Sequence, residues 1–234
     1  MSQLPSSESS CAQPTQSAQS SLAFADIFTT KLFAVIDFET TGLNPATDRI
    51  LQMAAVVVDI TGHVVDSFDT IVKPEQPSEY THGAEHVHGI STDDVDAGMP
   101  LGLAMRRLQD ISQSALFTAH NARFDYSFLK NEFRRAGMAF QEKVLCTVKL
   151  SRALYPHHRR HNLDAIMKRH GLGCEDRHRA LADARVLWDF LQQIYRDVPA
   201  STIEKAVAEL LKRPATPVGL DPQILDKVPT RPGV

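Results

Sequence analysis

Asp37 and Glu39 stand two residues apart where a nearly continuous apolar run, Leu32–Phe38, comes to its end. Such a run marks a strand covered on both faces, and side chains at i and i+2 leave a strand on the same side. The two carboxylates therefore converge. A carboxylate within Val35-Ile36-Asp37-Phe38 is costly to bury unless a partner or a cation meets it. Two acids converging at a strand end suit hard, oxygen-loving divalent ions such as Mg2+ or Mn2+. Capping of a neighbouring loop is the plainer alternative.

A second acid lies in His120-Asn121-Ala122-Arg123-Phe124-Asp125, which leaves the short apolar stretch Ala115–Ala119 and enters a helical pattern. At about 100° per residue, Asp125 falls between Phe128 and Leu129 on the helical wheel, with Phe124 on the same side. An acid inside an apolar stripe either compensates the helix N-terminus or binds a metal. The third segment is His178-Arg179-Ala180-Leu181-Ala182-Asp183. Five helical residues turn by about 140°, so His178 and Asp183 meet only if His178 precedes the helix and Asp183 lies in its first turns. Gly171, Gly173 and Glu175-Asp176-Arg177 favour a loop there. A histidine beside metal-binding acids suits a general base; alone, it reads as an exposed residue.

The elements that must carry these groups follow from the apolar periodicity. After the first strand, Ile50–Ile60 and Val64–Val72 form a hairpin across Thr61-Gly62. Ser91-Thr92-Asp93-Asp94 resembles a capping box opening a short helix, and a longer helix spans Pro100–Ser112. Ala115–Ala119 is a fourth strand, Arg123–Ala136 a helix stopped by Gly137, and Val144–Thr147 a fifth strand. Helices then cover Leu163–His170 and Ala180–Tyr195. A hairpin followed by alternating helices and short strands predicts an α/β domain with a mixed sheet.

Residues 1–24, rich in Ser, Gln and Pro, predict a disordered tail. Within it, Gln19-Ser20-Ser21-Leu22-Ala23-Phe24 loosely resembles the peptides that dock on sliding clamps, although matches so short arise easily by chance. The folded domain is expected over residues 25–197. Residues 198–234 hold a helix near Thr202–Leu211 and then a Pro-rich linker.

With 43% hydrophobic and 23% charged residues, the 234-residue chain can bury one sizeable core. A net charge of −3 supplies no global basic field, so a polyanion would need bound cations or a local patch. Arg152, Arg159, Arg160 and Arg177 are candidates for that patch and equally good as ordinary solvated charges. Cys11, Cys146 and Cys174 are scattered and odd in number, which argues against a disulfide framework. Lacking cysteine partners, neither Tyr155–His161 nor His82, His86 and His88 makes a zinc site. No signal peptide and no long apolar run is present, so a soluble, cytoplasmic protein with no membrane partner is expected.

Asp37-Phe38-Glu39-Thr40-Thr41-Gly42, His120-Asn121-x-x-x-Asp125 and His178-x-x-x-x-Asp183 resemble, in order, the three exonuclease motifs of the DEDDh (DnaQ-like) family. Val87-His88-Gly89-Ile90 and His161-Asn162-Leu163-Asp164-Ala165 are similar to family sequence as well. The resemblance covers roughly residues 31–195. It implies an α/β, ribonuclease H-like fold with a central five-stranded mixed sheet flanked by helices, and 3′→5′ exonuclease activity with two divalent ions, Mg2+ or Mn2+, held about 3.5–4 Å apart. Asp37 would bridge both ions, Glu39 and Asp183 would complete the site of the attacking water, and Asp125 would hold the second ion. His178 would be the base. The backbone of Thr40, Thr41 and Gly42 and the side chain of Leu43 would meet the terminal nucleotide, with His88 and His120 lining the pocket.

The implied substrate is a nucleic acid 3′ end, single-stranded or frayed DNA before RNA, in proofreading or repair. A DNA polymerase or a sliding clamp would be the expected protein partner. An exoribonuclease, as in ribonuclease T or oligoribonuclease, is the alternative within the same chemistry, and a silent nucleic-acid-binding module the alternative outside it. Leu225–Val234 resembles the lead-in to a GIY-YIG nuclease domain, so a longer parent chain carrying that domain is also expected.

Overall fold

The computed structural model describes residues 32–75, 81–138, 140–173 and 179–212. His178 and Arg177, the clamp-like Gln19–Phe24 within the 1–24 tail, and Leu225–Val234 with most of the Pro-rich stretch lie outside those residues.

Strand β1 (Leu32–Thr40) is followed by β2 (Ile50–Asp59) and β3 (Val64–Lys73), then by the short helices α1 (Glu85–His88) and α2 (Thr92–Asp96). β4 (Met99–Pro100), α3 (Leu101–Ser112), β5 (Leu116–Ala119), α4 (Arg123–Arg135) and β6 (Val144–Cys146) come next. Helices α5 (Thr147–Leu154), α6 (Leu163–His170), α7 (Ala180–Asp197) and α8 (Ala200–Leu211) complete the described chain. The strands form one mixed sheet in the order β4-β3-β2-β1-β5-β6, with β1 antiparallel to β2 and parallel to β5. The five expected strands are all present. The sixth, β4, pairs Met99 and Pro100 with Val72 and Lys73 at the sheet edge, where a proline's missing N–H is tolerated.

Period-two alternation along β1 divides the core into two layers. Phe33 and Val35 join Ala184, Leu187, Trp188 and Leu191 of α7 on one face. Ala34, Ile36 and Phe38 meet Met105 and Leu108 of α3 and Phe128, Leu129 and Phe133 of α4 on the other. Ile203 and Val207 are buried in the α7 layer, so α8 packs with the domain. The capping box of α2 forms: Ser91 Oγ accepts from Asp94 N–H at 3.2 Å, and Asp94 accepts from Ser91 N–H at 2.9 Å. Among the described residues no helix is long and apolar enough to cross a membrane.

Candidate active site

Asp37 and Glu39 stand at the carboxyl end of β1, where that strand has an antiparallel neighbour on one side and a parallel one on the other. Ligand sites in α/β sheets favour such ends. Pairing of β1 with β5 stops at Val35↔Thr118, so the last residues of β1 outrun β5. Pairing with β2 shifts register between Glu39 and Thr40, an irregularity of the kind that re-aims side chains near active sites. Asp37 and Glu39, both half-buried, share with Phe33 and Val35 the parity that faces α7. Asp183 lies in the first turn of α7 and is buried.

Asp125 comes from the opposite layer. Asn121, in the left-handed region at φ 57, turns the chain from β5 into α4; asparagine tolerates that conformation better than most residues. Asp125 then falls in the first turn of α4 at 2% exposure. Burial, and secondarily the neighbouring charge of Glu39, push its carboxyl up to about 7, although it accepts N–H bonds from Phe38 and from its own backbone. The acid from α4 thus reaches the strand carrying the acid pair and is felt by one member of it.

The loop after the acids is held on several sides. Asp48 accepts from Asn44 N–H at 2.8 Å and from the Thr41 hydroxyl at 3.3 Å, and Thr41 Oγ accepts from Arg49 N–H at 3.0 Å. A Cβ on Gly42 would sit 2.5 Å from an Asp48 oxygen, so any larger residue there would have to push the Asp48 carboxylate away from its bonds to Asn44 and Thr41. Arg135 of α4 donates to the Pro45 and Ala46 carbonyls at 3.1 and 2.8 Å, and at 2.8 Å to Glu132, itself 2% exposed. Leu43 is 84% exposed on this braced loop.

His120 is half-buried, its Nδ1 2.9 Å from the Thr147 hydroxyl at the start of α5. His88 closes α1. It is buried, its Nδ1 accepts from Ile90 N–H at 3.0 Å, and its Nε2 donates to the Gly83 carbonyl at 3.1 Å. Both ring nitrogens are thereby engaged with the loop. Burial holds its pKa below the usual imidazole range. Arg152, Arg159 and Arg160 are all exposed.

Thr147, Asp48, Glu132 and Arg135 support the site without having been singled out from the sequence. Glu132 carried the same signal as Asp125, an acid on the apolar wheel between Leu129 and Phe133. As donors, Asp37, Glu39, Asp125 and Asp183 form an all-oxygen set that fits a hard divalent ion, and a cation would offset the cost of ionising Asp125. Among the described residues no three His, Cys, Asp or Glu side chains are gathered tightly enough to hold an ion as they stand. Like charges at short range repel.

A mixed sheet with helices on both faces defines an α/β fold of the ribonuclease H-like kind. The exonuclease family (RNase_T) matches residues 34–191, well over half of the chain, and the chain belongs to that family as a DEDDh, DnaQ-like 3′→5′ exonuclease. It is 32% identical over 185 residues to a PolC-type DNA polymerase III of Streptococcus suis, covering 76% of this chain and 12% of that protein. To the PolC-type DNA polymerase III of Lacticaseibacillus paracasei it is 36% identical over 155 residues, covering 65% and 10%. The chain spans only about a tenth of the length of these relatives. Among solved structures, the nuclease domain of 3′hExo, a DEDDh family member bound to rAMP, superposes at TM-score 0.64 with 19% identity, covering 72% of this chain and 94% of that one. E. coli exonuclease I in complex with a dA16 oligonucleotide does so at 0.66 and 20%, covering 75% and 42%.

Proposed function

We propose that the chain removes nucleotides from the 3′ end of single-stranded or frayed DNA by metal-assisted hydrolysis. The observation that carries this reading is Asp125, buried, bonded to Phe38 N–H and raised further by Glu39. A carboxyl group so placed is poorly explained by stability. Asp37, Glu39, Asp125 and Asp183 would hold two divalent ions, Mg2+ or Mn2+. Bound there, such ions polarise a phosphoryl oxygen and make water acidic enough to attack at neutral pH.

The chain's own groups do the positioning. His178 takes the proton from the attacking water as it adds to the terminal phosphorus and the 3′ oxygen of the preceding nucleotide leaves. The backbone of Thr40, Thr41 and Gly42 and the exposed Leu43 receive the terminal nucleotide, with His120 at its side. Bracing by Asp48 and Arg135 keeps that loop preorganised, which limits the ordering cost of binding. The PolC-type relatives favour DNA and a role beside a polymerase; the rAMP-bound neighbour favours RNA as the second reading.

Matched DNA and RNA oligonucleotides labelled at the 5′ end, with single-stranded, paired and mismatched 3′ ends, test the proposal. Shortening from the 3′ end is expected with Mg2+, strongest on mismatched DNA and lost in Asp37→Ala. Robust activity in excess EDTA, or in Asp37→Ala, overturns the mechanism. Faster trimming of RNA transfers the preference to the second reading, and equal turnover of paired and mismatched ends argues for repair or processing instead of proofreading.

A further inference from the structure

A broad, open hollow of ≈ 740 Å³ lies where the chain passes from α5 into α6, lined by Arg159, Arg160, Lys168 and Arg169 against a single acid, Asp164. In a chain of net charge −3, this is a local reversal of sign. Its wall is fixed from within. Arg169 donates to Ser151 Oγ at 3.2 Å and to the Arg160 carbonyl at 2.6 Å, and its guanidinium lies 5.5 Å from the Tyr155 ring centroid. Buried His161 bonds the Ser151 hydroxyl at 2.8 Å and the His158 carbonyl at 2.9 Å. Arg159, Arg160 and Lys168 are all exposed on this pinned backbone. The N-terminus of α6 opens on the same hollow through Asn162, whose side chain makes no capping bond, adding the positive end of the helix dipole.

The hollow is tied to the candidate active site by α5. Thr147, which meets His120, begins that helix, and Ser151, which meets both Arg169 and His161, lies one turn further on, roughly 6 Å of helix rise. We infer that the hollow binds backbone phosphates of the substrate strand upstream of its 3′-terminal nucleotide. This inference rests on the nuclease reading above. Arg159, Arg160 and Lys168 make the phosphate contacts, and Arg169 and His161 position them. Contacts of this kind hold the strand without reading its bases, so they strengthen binding of long substrates and leave the shortest ones untouched.

The test compares the full chain with Arg159→Ala/Arg160→Ala/Lys168→Ala. Binding of a labelled single-stranded oligodeoxynucleotide is followed in EDTA across a salt series, and KM is measured with Mg2+ for the same oligonucleotide and for a dinucleotide. Each single-strand phosphate contact contributes about 0.7 to the salt slope, so losing three flattens it by about 2. KM for the oligonucleotide rises by about tenfold, and the dinucleotide KM is unchanged. Arg159→Lys/Arg160→Lys keeps the slope, because the contact is one of charge. An unchanged slope in the folded triple variant, or an equal rise in KM for both substrates, overturns the inference. If the wild-type chain hydrolyses neither substrate, the nuclease reading fails by itself, and the salt slope in EDTA still decides the hollow.

Discussion

Helix α4 buries two carboxylates, Asp125 in its first turn and Glu132 two turns later, each 2% exposed. Seven residues turn by about 700°, so the two share one face of the helix, and burial lifts both above the usual carboxylate range. Beyond that they part. Glu132 accepts from Arg135 at 2.8 Å, and the charges of Arg135 and Arg49 draw its carboxyl back down. Asp125 instead meets two N–H groups and Glu39, whose charge pushes it further up. One acid is matched by cations of its own chain; the other is aimed at another acid. Internal pairing is what a buried charge needs to persist. An acid placed against that rule marks a site where positive charge is to arrive from outside.

Removing the charge from each should therefore have opposite effects on the fold. Asp125→Asn is expected to lower kcat by a thousandfold or more, about 4 kcal/mol of lost transition-state stabilisation, and to stabilise the metal-free protein. A carboxyl raised in the folded state contributes stability below its unfolded value, lost as pH rises through about 7. Thermal unfolding in EDTA should show Asp125→Asn melting several degrees above wild type at pH 8 and close to it near pH 4. A variant that is inactive and also less stable at pH 8 would break the contrast.

Glu132→Ala should do the reverse. It strands Arg135, which is only partly exposed, and costs about 2 kcal/mol, or roughly 4–8 °C in Tm for a chain of this size. Because Arg135 also holds the Pro45 and Ala46 carbonyls, the loop bearing Leu43 loosens and KM rises severalfold with kcat little changed. A drop in kcat matching that of Asp125→Asn would place Glu132 in the chemistry and erase the distinction.

How far these features were legible in the sequence depends on the range of the interactions behind them. Asp37 and Glu39 were readable because strand alternation is local, and Asp125 because a charge inside an apolar helical stripe is a local contradiction. Glu132 carried that contradiction too, and its partner Arg135 stands only three residues on, but Arg135 also holds Pro45 across 90 positions of sequence. No pattern in the chain announces such a pairing. Helix α5 was overlooked because β6 runs into it directly, Cys146 ending the strand and capping the helix with no Gly or Pro between. β4, at two residues, is too short for any periodicity to show.

The smallest expected effect concerns His88, a third buried titratable group and, like Glu132, one satisfied within the chain. Burial lowers its pKa, so the stability it contributes is present above the unfolded value, about 6.5, and is lost as pH falls through the folded one. Gln can accept from Ile90 N–H and donate to the Gly83 carbonyl without titrating. His88→Gln should therefore keep most of the Tm at pH 7.5 and lose about a degree or two less than wild type on acidification to pH 5. His161 and His170, also lowered by burial, supply the acid sensitivity that remains. Activity near neutrality should change little, because the ring serves the loop; a large loss there, with the melting curve unaltered, would move His88 from the loop's interior into contact with substrate.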